Sequence, residues 1–290
     1  MAREKYYLYR YEPSLVAAVI FVVLFGISTI LHIFQAWRSK SRFLIPFIIG
    51  GLFETIGYIG RILSSHDRES LSPFILQTLL ILLGPALFAA SIYMILGRVI
   101  ILTNGEKFSL IRQKFLTKLF VTGDVLSFLM QCAGGGIMAV AKDDQKKVDL
   151  GQRVVLAGLF VQIFFFGFFL VTAIVFQLRA RKHLTSLAVN LPWMKHLNVL
   201  YGTSVLILIR SVFRVIEYIQ GNNGYLLRSE VFLYVFDAVL MLAVMVSLNG
   251  VHPGEIAALL REKSERGSLV ELGRPGTEAG KGGRGEAVAV

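Results

Sequence analysis

LVAAVIFVVLFGISTILHIFQA, residues 15–36, contains no Asp, Glu, Lys or Arg. A helix needs about 20 predominantly apolar residues to cross the hydrocarbon core of a bilayer, and this stretch supplies them. It is too long for the apolar region of a signal peptide, and no small-residue cleavage site follows, so it is expected to stay in the membrane as an anchor. Six further stretches meet the same criterion, at residues 43–64, 74–102, 119–140, 152–178, 198–219 and 230–250. The third and fifth spans are long enough to tilt or to project beyond the hydrocarbon. The predicted fold is therefore all-α: a polytopic membrane protein of seven transmembrane helices.

Composition leads to the same fold. Of 290 residues, 55% are hydrophobic, 22 are Phe and only 17% are charged, against about a quarter charged in soluble domains. Three regions are expected: an extracellular segment at 1–14, the membrane domain at 15–250, and a cytoplasmic tail at 251–290. Eight of the tail's forty residues are Gly and many others are charged, so it reads as disordered. Of the 30 Lys and Arg, 17 fall on the side of the first inter-span loop and the tail, and nine on the side of the N-terminus. By the positive-inside rule the N-terminus is outside and the C-terminus cytoplasmic. Basic loops lying against anionic headgroups, at about 1 kcal/mol per residue, account for the net charge of +11 without nucleic acid.

Several activities lack their residues. Cys132 is the single cysteine, so no disulfide forms within the chain. Of five histidines only His32 lies in a span, which cannot furnish the convergent ligand set of a zinc hydrolase; no metal is expected. No G-x-x-x-x-G-K-[ST] loop occurs, which excludes ATP hydrolysis, and no nucleophile–base pair marks an enzyme. Span three ends Leu96-Gly97-Arg98-Val99 without Asp-Arg-Tyr, span seven lacks Asn-Pro-x-x-Tyr, and no Lys in span seven could hold retinal.

The charges inside the spans are the informative residues, because a charge at mid-bilayer costs about 2.5–3.5 kcal/mol on insertion scales and so faces a partner or a cavity. Span two carries Glu54, Tyr58 and Arg61, span six Arg210, Arg214 and Glu217, and span seven Glu230, Tyr234 and Asp237. Each set is spaced i, i+4, i+7, on one face of its helix. Glu54, Arg61, Arg210, Arg214, Glu217 and Asp237 balance in charge, as a paired network should. A separate structural pair, Arg98 with Asp124, is expected in the other half of the bilayer. Two readings are open: the pairs fix helix order and rotation, or they line a cavity for the polar head of an amphiphile. In span four, Ser127 and Gln131 follow Asp124 at i+3 and i+7, ahead of Gly134, Gly135 and Gly136. The glycines mark either a bend beside a cavity or close helix packing. Pro85 predicts a kink in span three, and Gln162 and Gln177 are expected to bond between helices.

Together these motifs are specific. They comprise Tyr11-Glu12-Pro13-Ser14, Glu54-Thr55-Ile56-Gly57-Tyr58-Ile59-Gly60-Arg61, Gly84-Pro85-Ala86-Leu87-Phe88-Ala89-Ala90-Ser91-Ile92-Tyr93 and Gly97-Arg98. Further on stand Phe120-Val121-Thr122-Gly123-Asp124-Val125, Gln131, Gly158-Leu159, Gln162, Arg210-Ser211-Val212-Phe213-Arg214-Val215-Ile216-Glu217, Glu230, Asp237 and His252-Pro253. Over residues 9–255 the chain resembles the RTA-like family of fungal seven-helix membrane proteins, also called lipid-translocating exporters. It departs at Ala18, where the family often has Asn. The resemblance implies a plasma-membrane protein without metal or nucleotide cofactor. It also implies a role in releasing sphingoid long-chain bases, phospholipid asymmetry, resistance to lipophilic toxicants or, in some branches, porphyrin or haem handling.

The leading expectation is a transporter, not an enzyme, whose partners are membrane lipids and an amphiphilic small molecule; protein partners are not indicated. Its head group would be held by Glu54, Tyr58, Arg61, Asp124, Gln131, Arg210, Arg214, Glu217, Tyr234 and Asp237. Anionic heads would seek the arginines, and protonated amines the carboxylates. A seven-helix lipid sensor signalling through its cytoplasmic loops is the alternative.

Overall fold

In the computed structural model, residues 14–66, 71–141, 144–187, 193–220 and 230–272 are described. The expected 1–14 segment, Ser14 apart, lies outside them. Helices α1 (Leu15–Ser39), α2 (Ile45–His66), α3 (Leu71–Leu102), α4 (Gln113–Val140), α5 (Gln145–Leu187) and α6 (Trp193–Gln220) follow in order. The seventh span is α7 (Glu230–Leu233), a π-helical turn (Tyr234–Val239) and α8 (Leu240–Gly250), and α9 (Gly254–Leu272) follows it. Seven helical segments are long and apolar enough to cross a membrane, and there is no strand among the described residues. The helices outrun the predicted spans because hydropathy ends where Lys and Arg begin, whereas these residues are good helix formers. Thus α5 continues through Arg179, Arg181 and Lys182.

Sequence-local chemistry sets the ends of α1. The Ser14 side chain accepts from the Ala17 N–H at 3.3 Å, satisfying one of the unpaired donors of the first turn. At the other end Lys40 turns into the left-handed region with φ 51° and returns its N–H to Ala36, a common helix stop. Polar residues on α1, namely Ser28, Thr29 and His32, are buried, while Val16, Ile20, Ile27 and Ile30 face outward as a lipid-exposed surface should.

The bundle is built around α3. Of its most apolar window 56% is buried, against 28% for α1 and α5, so α3 is central and the other two peripheral. The approach of α2 to α3 depends on small residues. A Cβ on Gly50 would lie 2.9 Å from the Gly84 carbonyl oxygen, and one on Gly57 would lie 2.7 Å from Ile81 Cγ1. Helices α4 and α5 approach equally closely, with a Cβ on Gly134 falling 2.6 Å from the Gly151 carbonyl oxygen. Gly134 therefore serves packing, whereas Gly135 and Gly136 face open space.

The expectation of a disordered tail from 251 is corrected for residues 254–272, which form α9. Ile256 and Ala257 are buried beneath the bundle. Lys263 Nζ donates to the carbonyls of Ile101 at 2.9 Å and Leu102 at 3.2 Å, and Arg261 donates to Lys40 at 2.6 Å. The cations of α9 thus cap the carboxyl ends of α3 and α1, where carbonyls lack helical donors. Averaging composition over forty residues hid this because Gly is concentrated beyond 272; residues 273–290 lie outside the described set.

Candidate functional site

The three polar stripes converge. On α2, Glu54, Tyr58 and Arg61 are all buried, as are Arg210 on α6 and Asp237 in the π-helical turn. At the end of the bundle where α1 begins, Arg61 Nη2 meets Glu230 Oε1 at 2.7 Å and Arg61 Nε donates to Tyr234 Oη at 3.1 Å. The same Glu230 carboxylate accepts the Ser14 N–H at 3.0 and 2.9 Å. One carboxylate therefore joins α1, α2 and α7. Beside it Phe21, Phe25, Tyr58 and Tyr234 stack, with the Phe21 and Tyr234 ring centroids 5.3 Å apart.

Deeper in the bundle, Arg210 Nε pairs with Asp237 Oδ1 and Arg210 Nη2 donates to the Ile81 carbonyl at 2.9 Å. This second bond has a cause in the sequence. Pro85 has no N–H and leaves the carbonyl four residues earlier, that of Ile81, without its helical donor. Arg210 provides the missing donor, and its planar fork reaches both acceptors. Arg210 thus joins α6, α3 and the π-helical turn. Such turns recur at functional sites.

Arg214 and Glu217 pair within α6, Nη1 to Oε2 at 2.7 Å, with side-chain exposures of 14% and 9%. Arg214 also lies over the Tyr218 ring at 5.7 Å, and its Nε–H has no acceptor among the described residues. Glu54 differs from the other charges. It is 1% exposed, its Oε1 has no hydrogen-bond partner among the described residues, and it abuts the Gly84 backbone.

The expected Arg98–Asp124 pair does not form. Asp124 accepts from Tyr93 Oη at 2.9 Å within a cluster of Phe120, Phe166 and Phe169. Arg98 instead lies over the Phe43 ring at 4.1 Å. Five residues along α3 rotate a side chain by about 140° net, so Tyr93 and Arg98 point to different neighbours. Asp124 is consequently remote in kind from the arginine network: an isolated carboxyl in an aromatic pocket. Gln131 lies in a third group, donating to Ser127 Oγ at 2.7 Å and to Gln162 Oε1 at 3.3 Å. Ser127 in turn donates to the Gly158 carbonyl at 2.7 Å. This ladder joins α4 to α5, and Gln162 bonds between helices as expected.

The structure therefore brings Glu54, Tyr58, Arg61, Arg210, Tyr234 and Asp237 together, sets Arg214 and Glu217 at one end of them, and separates Asp124 and Gln131. An apolar groove of about 370 Å³ on α4 and α5 and a cleft beside His196 and Thr203 both lie elsewhere; none of the ten predicted residues lines either. Sequence reasoning assigned no role to Tyr93 or to the Ile81 carbonyl, and left Glu230 out of the balanced set. Pro85 could have indicated Ile81; nothing local indicated Tyr93. No group of three or more His, Cys, Asp or Glu able to hold a metal occurs among the described residues.

The sequence is similar to those of known proteins. Residues 47–259 match the family described as RTA1 like protein. The chain is 38% identical to Protoporphyrin uptake protein 1 of Saccharomyces cerevisiae, over 88% of this chain and 95% of that one. It is 32% identical to the Probable lipid transporter atnI of Emericella nidulans, covering 86% and 68%. Against the Sphingoid long-chain base transporter RSB1 of Saccharomyces cerevisiae it is 27% identical, covering 83% and 72%. No solved structure matches the chain. With more than half its length matched and helices long enough to span a membrane seven times, this is an integral multi-pass membrane protein that belongs to the RTA1-like family.

Proposed function

We propose that the chain moves amphiphiles, such as sphingoid long-chain bases, phospholipids or lipophilic toxicants, across or out of the plasma membrane, without changing them chemically. In this reading the N-terminus faces outward. The observation that carries it is the gradation of charge inside an apolar bundle. Arg214, Glu217 and Glu230 sit near one end and are partly accessible, whereas Arg61, which pairs with Glu230, is enclosed, as are Arg210, Asp237 and Glu54. A polar head entering at that end meets first Arg214, which has a spare donor, while its tail stays in lipid. Relatives named as lipid and sphingoid-base transporters support the same reading.

Flux of fluorescent or isotopic long-chain base and phospholipid across proteoliposomes tests it, with Arg214→Gln as the matched control. Its ion pair is intrahelical, so neutralising it leaves the interhelical pairs in place. A hydrogen bond to a charged group is worth about 1.5–3 kcal/mol, so flux of a phosphate-bearing lipid should fall about tenfold or more. Absence of flux for every amphiphile from folded protein would exclude transport and favour a lipid sensor. One observation favours a second cargo: four stacked aromatic rings beside Arg61 suit a planar molecule bearing carboxylates, and one relative is named for protoporphyrin uptake. A porphyrin arm of the same assay separates the two.

A further inference from the structure

Every arginine around the π-helical turn has a carboxylate: Arg61 has Glu230, Arg210 has Asp237, and Arg214 has Glu217. Glu54 is the carboxyl left over. Among the described residues it makes no ion pair, and no donor reaches its buried Oε1. Its head group fills the space beside Gly84, where even a Cβ would lie 2.6 Å from Oε1. The charges that act on it are Arg210 from α6 and Asp237 from the π-helical turn. Tyr58 and Arg61 stand on its own helix. Within α3 the charged residue among those described is Arg98, fourteen positions and about 21 Å of helix from Gly84. On α1 the titratable residues are His32 and Arg38, toward the opposite end; His32 packs on Phe47.

A carboxylate without a cation or donors is far costlier to bury than the neutral acid. We propose that Glu54 is the proton-binding site of the transporter, coupling one proton to movement of the amphiphile. This rests on the transport reading given above. A proton from water on one side forms an O–H bond with a Glu54 oxygen, and its release to water on the other side restores the carboxylate. No bond in the cargo changes. With the proton on, three cations face three anions and the bundle packs as described. With it off, a fourth anion competes for Arg210, which is held by Asp237 and by the Ile81 carbonyl. Asp237 rides on a π-helical turn, a segment whose register differs from the α-helix on either side. A shift of Arg210 from this position toward the ionised Glu54 would give the second of the two states that a proton biases. Asp124 is not equivalent, because the Tyr93 hydroxyl donates to it.

Two measurements test the proposal and separate its failure from that of transport itself. The infrared spectrum of the purified full chain carrying 13C-glutamate at neutral pH should show a protonated-carboxyl band that shifts with the label. That band should vanish in Glu54→Gln and persist in Asp124→Asn. Glu54→Asp should keep a protonated-carboxyl band but lose its response to the glutamate label, which keeps the test open if the Gln variant misfolds. A glutamate band absent from the native chain, or surviving in Glu54→Gln, overturns the proposal whatever the flux. In proteoliposomes, corrected for protein-free vesicles, a one-unit pH gradient should shift long-chain-base accumulation up to about tenfold for one coupled proton. Glu54→Gln should be indifferent to the gradient. Native flux that ignores the gradient overturns coupling while leaving transport standing. Absence of all flux overturns transport and coupling together, even with the Glu54 band present.

Discussion

Replacing Arg210 by Lys tests whether Arg210 serves the carbonyl that Pro85 strands. Lys keeps the positive charge for Asp237 but has no fork to reach a second acceptor in a fixed direction. The Ile81 carbonyl, now 2.9 Å from Arg210 Nη2, would lose its donor within a closed bundle. An unsatisfied buried acceptor costs about 1–3 kcal/mol, and that is the expected loss in the native background. In a Pro85→Ala background the residue at 85 regains an N–H, which donates to Ile81 in the ordinary helical pattern. There Arg210→Lys should cost less than about 0.5 kcal/mol, the scatter within which independent sites add. The coupling read from the four proteins is then about 0.5–3 kcal/mol. Arg210→Leu supplies the upper bound, because it also leaves Asp237 without its cation, an added cost of about 3–5 kcal/mol. The assay is reversible unfolding in mixed micelles, followed by helical circular dichroism. Equal cost of Arg210→Lys in the native and Pro85→Ala backgrounds would refute the reasoning, since Ile81 would then not be the shared acceptor.

Three further outcomes follow from contacts already described. Gly134→Leu should destabilise the bundle by about 1–3 kcal/mol through overpacking against Gly151, whereas Gly135→Ala and Gly136→Ala, which face open space, should be neutral or stabilising by up to about 1 kcal/mol; the same unfolding assay reads all three. Tyr93→Phe should cost about 1.5–3 kcal/mol by removing the donor to Asp124. Arg98→Gln should cost about 1 kcal/mol, the value of its half-buried contact with the Phe43 ring, and a loss equal to that of Tyr93→Phe would restore an Arg98–Asp124 pairing. Lys263→Met with Arg261→Met should lower hydrogen-exchange protection of residues 254–265 selectively, and unchanged protection would mean that apolar burial alone docks α9.

The spans could be read in advance because a membrane helix answers to its solvent one residue at a time, and a run such as 15–36 has no other stable state in lipid. The stripes could be read as well, since i, i+4, i+7 spacing alone puts Glu54, Tyr58 and Arg61 on one face. Which carboxylate each arginine meets could not. Charge counting balanced Arg61 without Glu230, yet Glu230 is its partner and Glu54 is the residue left over. Likewise Asp124 seemed complementary to Arg98 by depth, but the rotation of α3 presents Tyr93 to it instead.

Fold class, seven crossings and the positions of the buried charges were thus determined by the sequence by itself, through local hydropathy and helical period. Tertiary structure decided the partners: Arg61 with Glu230 and the start of α1, Arg210 with Asp237 and the Ile81 carbonyl, Arg214 within its own helix, and Glu54 without an ion pair among the described residues. It also decided that residues 254–272 form a helix docked on the bundle. The reason is that partner choice depends on helix rotation and close approach. These are set by many distant contacts, such as Gly50 and Gly57 against α3, whose geometry no single stretch of sequence carries.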